Sequence, residues 1–177
     1  DAESDTLTYA LTGTDAASFS IDATTGQVKL LTPADFEVKN SYSITVNAKD
    51  ASNTTTKVVT LNVTDVNEAP SITSGATGSV AENAATSTVV YTATATDPES
   101  DTLSYSLTGT DAASFTINTA GAVKLITPAD FETKSSYSVT VNAMDATHTT
   151  TQAVTINATN VNEAPTAANF TSAGLTS

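Results

Sequence analysis

Apolar and polar residues alternate with a period of two along most of the chain. In residues 88–96, Val89, Tyr91 and Ala93 lie at odd positions, and threonines fill most of the positions between them. The same alternation predicts strands at 102–108, 115–117, 123–125, 137–143 and 154–158. Residues 71–82 are punctuated by Gly and predict one or two short edge strands. Single helical turns are expected only at 111–113 and 128–131, so the pattern indicates an all-β chain.

This pattern occurs twice in the chain. LTGTDAASF at 11–19 returns at 107–115, which is 96 residues later, and TPADFE at 32–37 returns at 127–132, which is 95 residues later. VNEAP at 66–70 likewise returns at 161–165. A period near 95 residues with about seven strands fits one immunoglobulin-like sandwich with Greek-key connections. The chain is therefore predicted to consist of tandem β-sandwich repeats.

The repeats divide the chain unevenly. The interpretation that fits them is a first repeat at 1–70 that lacks its N-terminal strands, a complete repeat at 71–165, and the start of a further repeat or a tail at 166–177. An arbitrary cut explains this division. The alternative is that a neighbouring chain supplies the missing strands, because an open sheet edge favours pairing with another strand.

Charge narrows the classes of function. Six Lys and no Arg stand against 19 acidic residues, which gives a net charge of −13. Nucleic acid and anionic membranes are therefore not expected as partners, since binding them requires clusters of basic side chains. No apolar run is long enough to insert into a membrane. The single His, His148, lies in a polar hairpin between predicted strands, and we expect no enzymatic activity.

Most of the acidic residues recur at fixed places near the ends of predicted strands. Carboxylates this close repel one another unless a cation neutralises them, and Ca²⁺ accepts six to eight oxygen ligands. An EF-hand does not fit, because Thr102 and Thr108 stand where that loop needs Gly and Glu. The recurring groups are Asp97-x-Glu99-x-Asp101 with Asp1-x-Glu3-x-Asp5, Asp130-x-Glu132 with Asp35-x-Glu37, Asp145 with Asp50, and 160–163 with 65–68.

These motifs resemble tandem cadherin repeats, in the bacterial cadherin-like form found in large surface adhesins. Ala81-Glu82-Asn83 resembles the family's entry glutamate motif, and Asp130-Phe131-Glu132 resembles its Asp-Arg-Glu element with Phe in place of Arg. Asp97-x-Glu99-x-Asp101 stands where the family has its Asp-x-Asp loop. Residues 65–70 resemble its linker, one residue shorter and with Glu for Asp. The resemblance covers the whole chain.

The resemblance implies that Ca²⁺ binds where consecutive repeats meet. The implied ligands of the junction in this chain are Asp35, Glu37, Asp65, Asn67, Glu68, Asp97, Glu99, Asp101 and Asp145. Half of a second junction is implied at Glu82, Asp130, Glu132, Asn162 and Glu163. Asp1, Glu3, Asp5 and Asp50 are the first-repeat counterparts of the second repeat's ligands. Because Asn160 replaces the acid found at Asp65, the second junction is expected to bind Ca²⁺ more weakly.

The expected function is mechanical. Ca²⁺ at a junction removes the freedom of a short linker, so the repeats form a rod in an extracellular adhesin or surface fibre. The partners are then neighbouring repeats of the same protein and another cell-surface molecule. One alternative is a calcium-dependent module that binds polysaccharide, although Tyr42, Tyr91, Tyr105 and Tyr137 lie on apolar strand faces and indicate core positions. The other alternative is a subunit of a surface filament or surface layer.

Overall fold

The computed structural model describes residues 5–164. The chain divides between Asn67 and Glu68 into two compact units. Each unit is an all-β sandwich with one short 3₁₀ turn. The predicted all-β class is confirmed.

The first unit contains five strands in two sheets. The strands are β1 (Thr8–Thr12), β2 (Phe19–Ile21), β3 (Val28–Leu30), β4 (Ser41–Lys49) and β5 (Thr54–Asn62). One sheet has the order β1-β4-β5, the other is the β2-β3 pair, and all pairings are antiparallel. The long β4–β5 hairpin forms because Tyr42, Ile44 and Val46 alternate with Ser and Thr along β4, and Val59 and Leu61 flank Thr60 on β5. Ile44 is the one buried apolar residue among the described residues of this unit.

The second unit contains nine strands. They are β6 (Ser71–Ile72), β7 (Thr77–Ala81), β8 (Val89–Thr92), β9 (Ala95–Thr96), β10 (Ser104–Thr108), β11 (Phe115–Ile117), β12 (Ala122–Leu125), β13 (Ser136–Met144) and β14 (Thr149–Thr159). One sheet has the order β10-β13-β14-β7 and the facing sheet has the order β11-β12-β8. β6 pairs with β9 separately. β7 runs parallel to β14 at the edge of its sheet, an arrangement that the alternation of the sequence did not predict.

The core of the second unit lies between its two sheets. Val139 and Val141 of β13 and Val154 and Ile156 of β14 are at most 1% exposed, while the residues between them on β14 face solvent. Phe115 packs edge-on against Tyr137, with ring centroids 5.3–5.4 Å apart here and in the equivalent first-unit pair. The inward-facing residues are those that the alternation predicted, because a period of two sends every second side chain to the same face.

The predicted strand at 88–96 is two short strands, β8 and β9, which belong to different sheets. At the break, the amide of Ala93 donates to the carbonyl of Gly121, and the carbonyl of Thr94 accepts from the amide of Thr73. Gly121 has a φ of +77° and approaches so closely that a Cβ there would lie 2.1 Å from the oxygen of Ala93. The chain therefore changes hydrogen-bond partner at this point. Apolar and polar residues alternate without interruption from β8 to β9, so the sequence pattern could not predict that the chain passes from one sheet to another.

The two expected helical turns have different outcomes. A 3₁₀ turn forms at Ala112–Ser114, with its counterpart at Ala16–Ser18, next to the predicted 111–113. Residues 128–131 form no helix, and a hydrogen-bonded turn follows at 131–133 instead. There the Asp130 side chain accepts the amide of Thr133, and its backbone carbonyl accepts the amide of Lys134.

An acid before each 3₁₀ turn ties that turn to the long central strand. Asp111 accepts the amide of Ser138 at 2.8 Å, and its own amide donates to the carbonyl of Ser138. The ammonium of Lys134 lies 2.5 Å from Asp111 and 5.2 Å from the ring centre of Tyr137. Asp15, Ser43, Lys39 and Tyr42 repeat this arrangement in the first unit. The hydrogen bonds from Lys134 and then from Ser138 lower the pKa of Asp111.

Replacing Asp111 by Ala is expected to destabilise the second unit by about 1–3 kcal/mol, because the change removes a charge-assisted hydrogen bond and leaves the amide of Ser138 unpaired. Urea unfolding followed by circular dichroism measures this loss. Thr116→Ala, an exposed position on β11, is the control and should stay within about 0.5 kcal/mol of the parent chain. An equal effect of the two substitutions would contradict the assignment.

Acid should weaken the same arrangement. A lowered pKa means that Asp111 stabilises the fold above the usual aspartate range and that this contribution is lost as pH falls through the lowered value. The difference in melting temperature between the parent chain and Asp111→Ala should therefore narrow as pH falls below about 4. A difference that is constant between neutral and acid pH would show that the charge of Asp111 is not involved.

Candidate metal centre

The strand registers place the recurring acids at opposite ends of each sandwich. In the second unit, β13 starts beside the end of β14 and finishes at Met144, which lies beside the start of β10. We call the end that holds Met144 the entry end, because the chain enters the second unit there. Thr150, at the start of β14, donates to the carbonyl of Pro70, which lies near the beginning of the unit. The opposite end, where β14 finishes and the chain leaves the unit, is the exit end. The nine residues of β13 separate the two ends by roughly 30 Å.

Three acids meet at the exit end of the second unit. Each of Glu82, Asp130 and Glu132 offers one carboxylate oxygen such that all three oxygens lie within 4.8 Å of one another. We call these three residues the Glu82 cluster. Among the described residues of the second unit, this is the one group of three acids that meets this distance. The cluster joins a residue that directly follows β7 to two residues that precede β13.

Glu82 is the anchor of the cluster. Its side chain is buried, with the residue only 3% exposed, and its oxygens accept the amide of Phe131 at 2.8 Å and the amide of Val161 at 2.6 Å. These bonds connect β7, the loop before β13 and the segment after β14. The amide of Val161, followed by that of Phe131, lowers the pKa of Glu82, so its carboxylate is held in the charged form.

The other two acids of the cluster are exposed and differ in their surroundings. Thr133 donates to Asp130 from its amide at 2.9 Å and from its hydroxyl at 2.8 Å, and the amide bond followed by the hydroxyl bond lowers the pKa of Asp130. A hydrogen bond to its own backbone lowers the pKa of Glu132. Partial desolvation, the negative charge of Glu82, the hydrogen bond with the Glu82 side chain and the charge of Glu163 outweigh that effect, so the pKa is raised. The ionised form of Glu132 is therefore the one that the repulsion within the cluster destabilises.

No lysine neutralises these charges. The ion pairs among residues 5–164 are Lys39–Asp15, Lys134–Asp111 and the His148–Asp145 contact, and none of them includes the Glu82 cluster. Each carboxylate oxygen that accepts one hydrogen bond keeps a further lone pair. Hard oxygen donors with uncompensated negative charge are the ligands that Ca²⁺ prefers, so the residues present fit this ion.

Two asparagines at the exit end were not among the predicted ligands. Asn83, with a φ of +59°, donates its side-chain amide to Glu163. Asn160 donates to Glu132 at 2.7 Å. The sequence shows Asn160 only as the replacement of an acid, whereas the structure shows that its side chain holds an acid of the cluster in place. The sequence signal for Asn83 was the Glu-Asn pair itself, since Asn tolerates a positive φ better than most residues. Asn162 lies exposed on the same exit segment.

The entry end of the second unit carries the other acids. Asp97 accepts the amide of Asp101 at 3.1 Å, and Ser100 between them has a φ of +62°. The amide of Glu68 donates to Glu99, and hydrogen bonding to Glu68 lowers the pKa of Glu99. One oxygen of Asp97 and one of Glu99 are buried without a hydrogen-bond partner. Buried carboxylate oxygens without partners are costly, and a bound cation would satisfy both.

Asp145 is also at the entry end, but a turn uses its carboxylate. It is 5% exposed, and one oxygen accepts the amides of Thr147 and His148. Nδ1 of His148 lies 3.6 Å from the other oxygen. Asp50 makes the equivalent turn in the first unit, where it accepts hydrogen bonds from the amides of Ser52 and Asn53. The bond from Ser52, followed by the bond from Asn53, lowers the pKa of Asp50. Both acids therefore shape the hairpin, whatever else they bind.

The first unit distributes its acids in the same way. Asp35 and Glu37 precede β4, and Asp65 and Asn67 follow β5, so all four belong to the exit end. Asp35 accepts the amide of Val38 at 3.0 Å. Asp5 precedes β1 and belongs to the entry end together with Asp50. Asp1 and Glu3 lie outside the described residues.

The aromatic residues of the second unit do not form a platform for sugars. Tyr91 and Tyr137 are buried, and the hydroxyl of Tyr91 donates to the carbonyl of Gly75. Tyr105 is half-buried against the core. The prediction that tyrosines on apolar faces are core residues is therefore confirmed for this unit, and the polysaccharide alternative gains no support from it. None of the helices in the described part of the chain is long and apolar enough to cross a membrane.

Comparison with known proteins identifies relatives of both units. The Cadherin domain family model matches residues 1–64 and 76–159. Human Cadherin-23 is 30% identical over 151 residues, a match that covers 82% of this chain and 4% of that protein. Mouse Cadherin-related family member 2 is 40% identical over 68 residues, which are 38% of this chain and 5% of that protein. The chain thus spans a small part of these relatives.

Solved structures show the same fold. Human protocadherin-24 EC1-2 (form II) superposes with a TM-score of 0.69 at 23% identity, covering 91% of this chain and 85% of the other. Mouse cadherin-23 EC22-24 superposes with a TM-score of 0.64 at 28% identity, covering 88% of this chain and 53% of the other. The second comparison adds sequence similarity to the likeness of fold.

Replacing Glu132 by Gln should affect stability and metal binding in opposite directions. Without Ca²⁺, the substitution removes repulsion in the Glu82 cluster while the Gln oxygen still accepts from Asn160, so the melting temperature in chelator should rise. Affinity for Ca²⁺ should fall at least about tenfold, because a ligand charge is lost. Calorimetric titration and thermal denaturation measure the two effects.

Asp22→Asn is the matched control, because it removes one charge from a turn outside the predicted ligand set. The Asn side-chain oxygen can still accept the amides of Thr24 and Thr25. If Glu132→Gln lowers the melting temperature in chelator, the cluster is not under electrostatic strain.

Proposed function

This chain belongs to the cadherin family, and from that premise we propose that it is a calcium-rigidified structural repeat of an extracellular adhesin or surface fibre. The observation that carries the proposal is the Glu82 cluster, three carboxylates at one end of a sandwich that no lysine neutralises. The unpartnered buried oxygens of Asp97 and Glu99 at the other end support it independently. Both features are expected of a unit whose two ends bind divalent cations.

We further propose that Ca²⁺ acts where one repeat follows another. The ligands proposed from the exit end of the first repeat are Asp35, Glu37, Asp65 and Asn67, and Asp65 and Asn67 lie in the segment that leads to Glu68. The entry-end acids of the next repeat are Asp97, Glu99, Asp101 and Asp145. A cation shared between such sets cancels their repulsion and restricts the linker at 63–70, so a tandem array becomes a rod.

The mechanism needs no chemical step. Ca²⁺ would supply only positive charge and coordination, while the backbone bonds of Glu82 and the turn at Thr133 hold the carboxylates in place before the ion arrives. Such preorganisation reduces the entropy lost on binding. The proposed setting is extracellular, where Ca²⁺ is abundant enough to occupy weak sites.

A bacterial source is part of the proposal. The relatives named above are animal proteins, and they support the family without indicating the organism of this chain. The proposed partners are neighbouring repeats of the same protein and another molecule at the cell surface.

Small-angle X-ray scattering with and without Ca²⁺ tests the rod. Adding Ca²⁺ should extend the maximum interatomic distance, give the skewed distance distribution of a rod and raise the melting temperature, since a ligand bound only to the folded state stabilises it. Asp101→Ala should reduce this response, whereas Asp22→Asn should not.

Asp15 also lies outside the predicted ligand set, but Asp15→Ala would not serve as a control. The substitution would itself destabilise the first unit, because Asp15 connects its 3₁₀ turn to β4 and pairs with Lys39 at 2.8 Å. A scattering profile and melting temperature that are both indifferent to Ca²⁺ would refute the proposed function. A response that survives in Asp101→Ala would leave calcium binding in place but move it away from the entry-end acids.

A further inference from the structure

The exit segment of the second unit, which we define as residues 160–163, lies against the sandwich without strand pairing. β14 ends at Thr159, and all four residues of the segment are exposed, including Val161 at 46%. Apolar burial therefore contributes little to the position of this segment. Its position depends mainly on polar contacts with the rest of the unit.

Three hydrogen bonds between N–H groups and carboxylates provide these contacts among the described residues. Two of them start in the segment itself. The side-chain amide of Asn160 donates to Glu132 at 2.7 Å, and the backbone amide of Val161 donates to the buried Glu82 at 2.6 Å. Hydrogen bonds to an ionised acceptor are about twice as strong as those between neutral groups.

The third bond runs in the opposite direction, from the side-chain amide of Asn83 to Glu163. The backbone of Asn83 is itself fixed, because its φ is +59° and its amide donates to the carbonyl of Ala129, a residue that is 1% exposed. Asn adopts this conformation more readily than most residues do. The donor at position 83 is therefore held in place by the sandwich and not by the segment that it binds.

Neutral amides thus hold the exit segment beside a negatively charged cluster. Asn carries two N–H donors on its side chain, whereas an ionised Asp or Glu can only accept hydrogen bonds. Each of the two asparagines places a donor against a carboxylate that would otherwise face further carboxylates. The arrangement is complete without a cation.

The first repeat has the opposite chemistry at one of these positions. Asp65 takes the place of Asn160, and Glu37 takes the place of Glu132. One carboxylate oxygen of Asp65 lies within 4.8 Å of one of Glu37. Two ionised carboxylates at this distance repel each other, and neither can donate a hydrogen bond. The residue at this position therefore sets whether the segment after the long hairpin is attracted to the acid that precedes it or repelled by that acid.

We propose that Asn160 and Asn83 are positioning residues that hold the exit segment on the second unit without a cation, and that residue 160 determines how far this segment depends on calcium. With Asn, the segment is docked before an ion arrives. With Asp, as at position 65, docking requires a cation between the carboxylates. The dependence on calcium rests on the proposed function, whereas docking without a cation does not.

Hydrogen exchange of the full chain in chelator, followed by NMR, tests the docking. The amide of Val161 should be protected in the parent chain, because Glu82 accepts it. Asn160→Asp should accelerate its exchange at least about tenfold, since the change removes a charge-assisted bond and adds repulsion with Glu132. The amide of Phe131 donates to the other oxygen of Glu82 from outside the exit segment, and its exchange should change little.

Asn157→Asp is the matched control, because it makes the same change three residues earlier, at an exposed position of β14. It should leave the exchange of Val161 within about twofold of the parent rate. The amides of β13 and β14 report whether the sandwich itself stays folded. If Val161 exchanges like an unstructured amide in the parent chain, or if Asn160→Asp and Asn157→Asp have equal effects, the proposal is wrong.

Two milder substitutions test the donors without adding charge. Asn160→Ala removes one donor and should accelerate the exchange of Val161 in chelator, though less than Asn160→Asp does. Asn83→Gly removes the other donor while tolerating the positive φ, and it should act in the same direction. No acceleration in either variant would show that the side-chain amides do not hold the segment.

Exchanging the two groups identifies the bond. Asn160→Asp combined with Glu132→Gln moves the amide to position 132 and the carboxylate to position 160 without changing the length of either side chain. The same bond can then form in reverse, so the exchange of Val161 should return close to the parent rate. Asn160→Asp combined with Glu132→Ala removes the repulsion but offers no donor, and exchange should stay faster. Equal recovery in both double variants would contradict the proposed bond.

Adding saturating Ca²⁺ to the same samples separates this inference from the proposed function. Ca²⁺ should restore the protection of Val161 in Asn160→Asp and should change the parent chain less, because the parent segment is already docked. If Ca²⁺ changes exchange in neither chain, calcium binding at the exit end is wrong, while docking in chelator stands. If Ca²⁺ slows exchange by the same factor in both chains, residue 160 does not determine the dependence on calcium.

Discussion

Electrostatic repulsion among carboxylates is the constraint on which the arrangement of this chain depends, because acidic side chains far outnumber cationic ones. It has 19 acidic residues and six Lys. Only three of the acids, Asp15, Asp22 and Asp111, lie outside the predicted ligand set, and each has structural work in its own unit: two pair with lysines, and Asp22 accepts the amides of a turn. The other sixteen belong to the predicted ligand set, most of them at the ends of the sandwiches. The strands carry mainly Ser and Thr together with four of the six Lys, so negative charge is concentrated at the ends of the sandwiches.

Glu82 connects this charge distribution to the fold. Its bonds to the amides of Phe131 and Val161 join three segments that are distant in sequence and place Asp130 and Glu132 beside it. The same bonds keep its carboxylate charged, which opposes the ionisation of Glu132. The exit end is therefore both an anchor of the sandwich and a source of repulsion. A divalent cation would relieve the repulsion without disturbing the anchor, because the amide bonds leave lone pairs on the carboxylate oxygens.

The two units show how far local sequence determines burial. The two units share the same 3₁₀ turn, the same long hairpin and the same acid–lysine pair. Each of these features depends on residues that lie close together within one repeat. Their cores differ, because closing the sandwich depends on β7 and β8, which only the second unit has among the described residues. An apolar face in a β-sandwich is buried only when strands from elsewhere in the chain cover it, as β7 and β8 do in the second unit.

The sequence by itself determined the all-β class, the two repeats, most strands and the grouping of acids, because alternation and internal repetition are local properties that survive without coordinates. Tertiary structure alone decided which acids meet. Glu82 lies beside Asp130 and Glu132, whereas one carboxylate oxygen of Asp145 and one of Asp50 accept the amides of hairpin turns. It also decided that residues 88–96 change sheets and that β7 runs parallel to β14. Alternation fixes which face a side chain takes, but strand partners and carboxylate distances depend on contacts between residues about 50 to 80 positions apart, such as Glu82 with Phe131 and Val161.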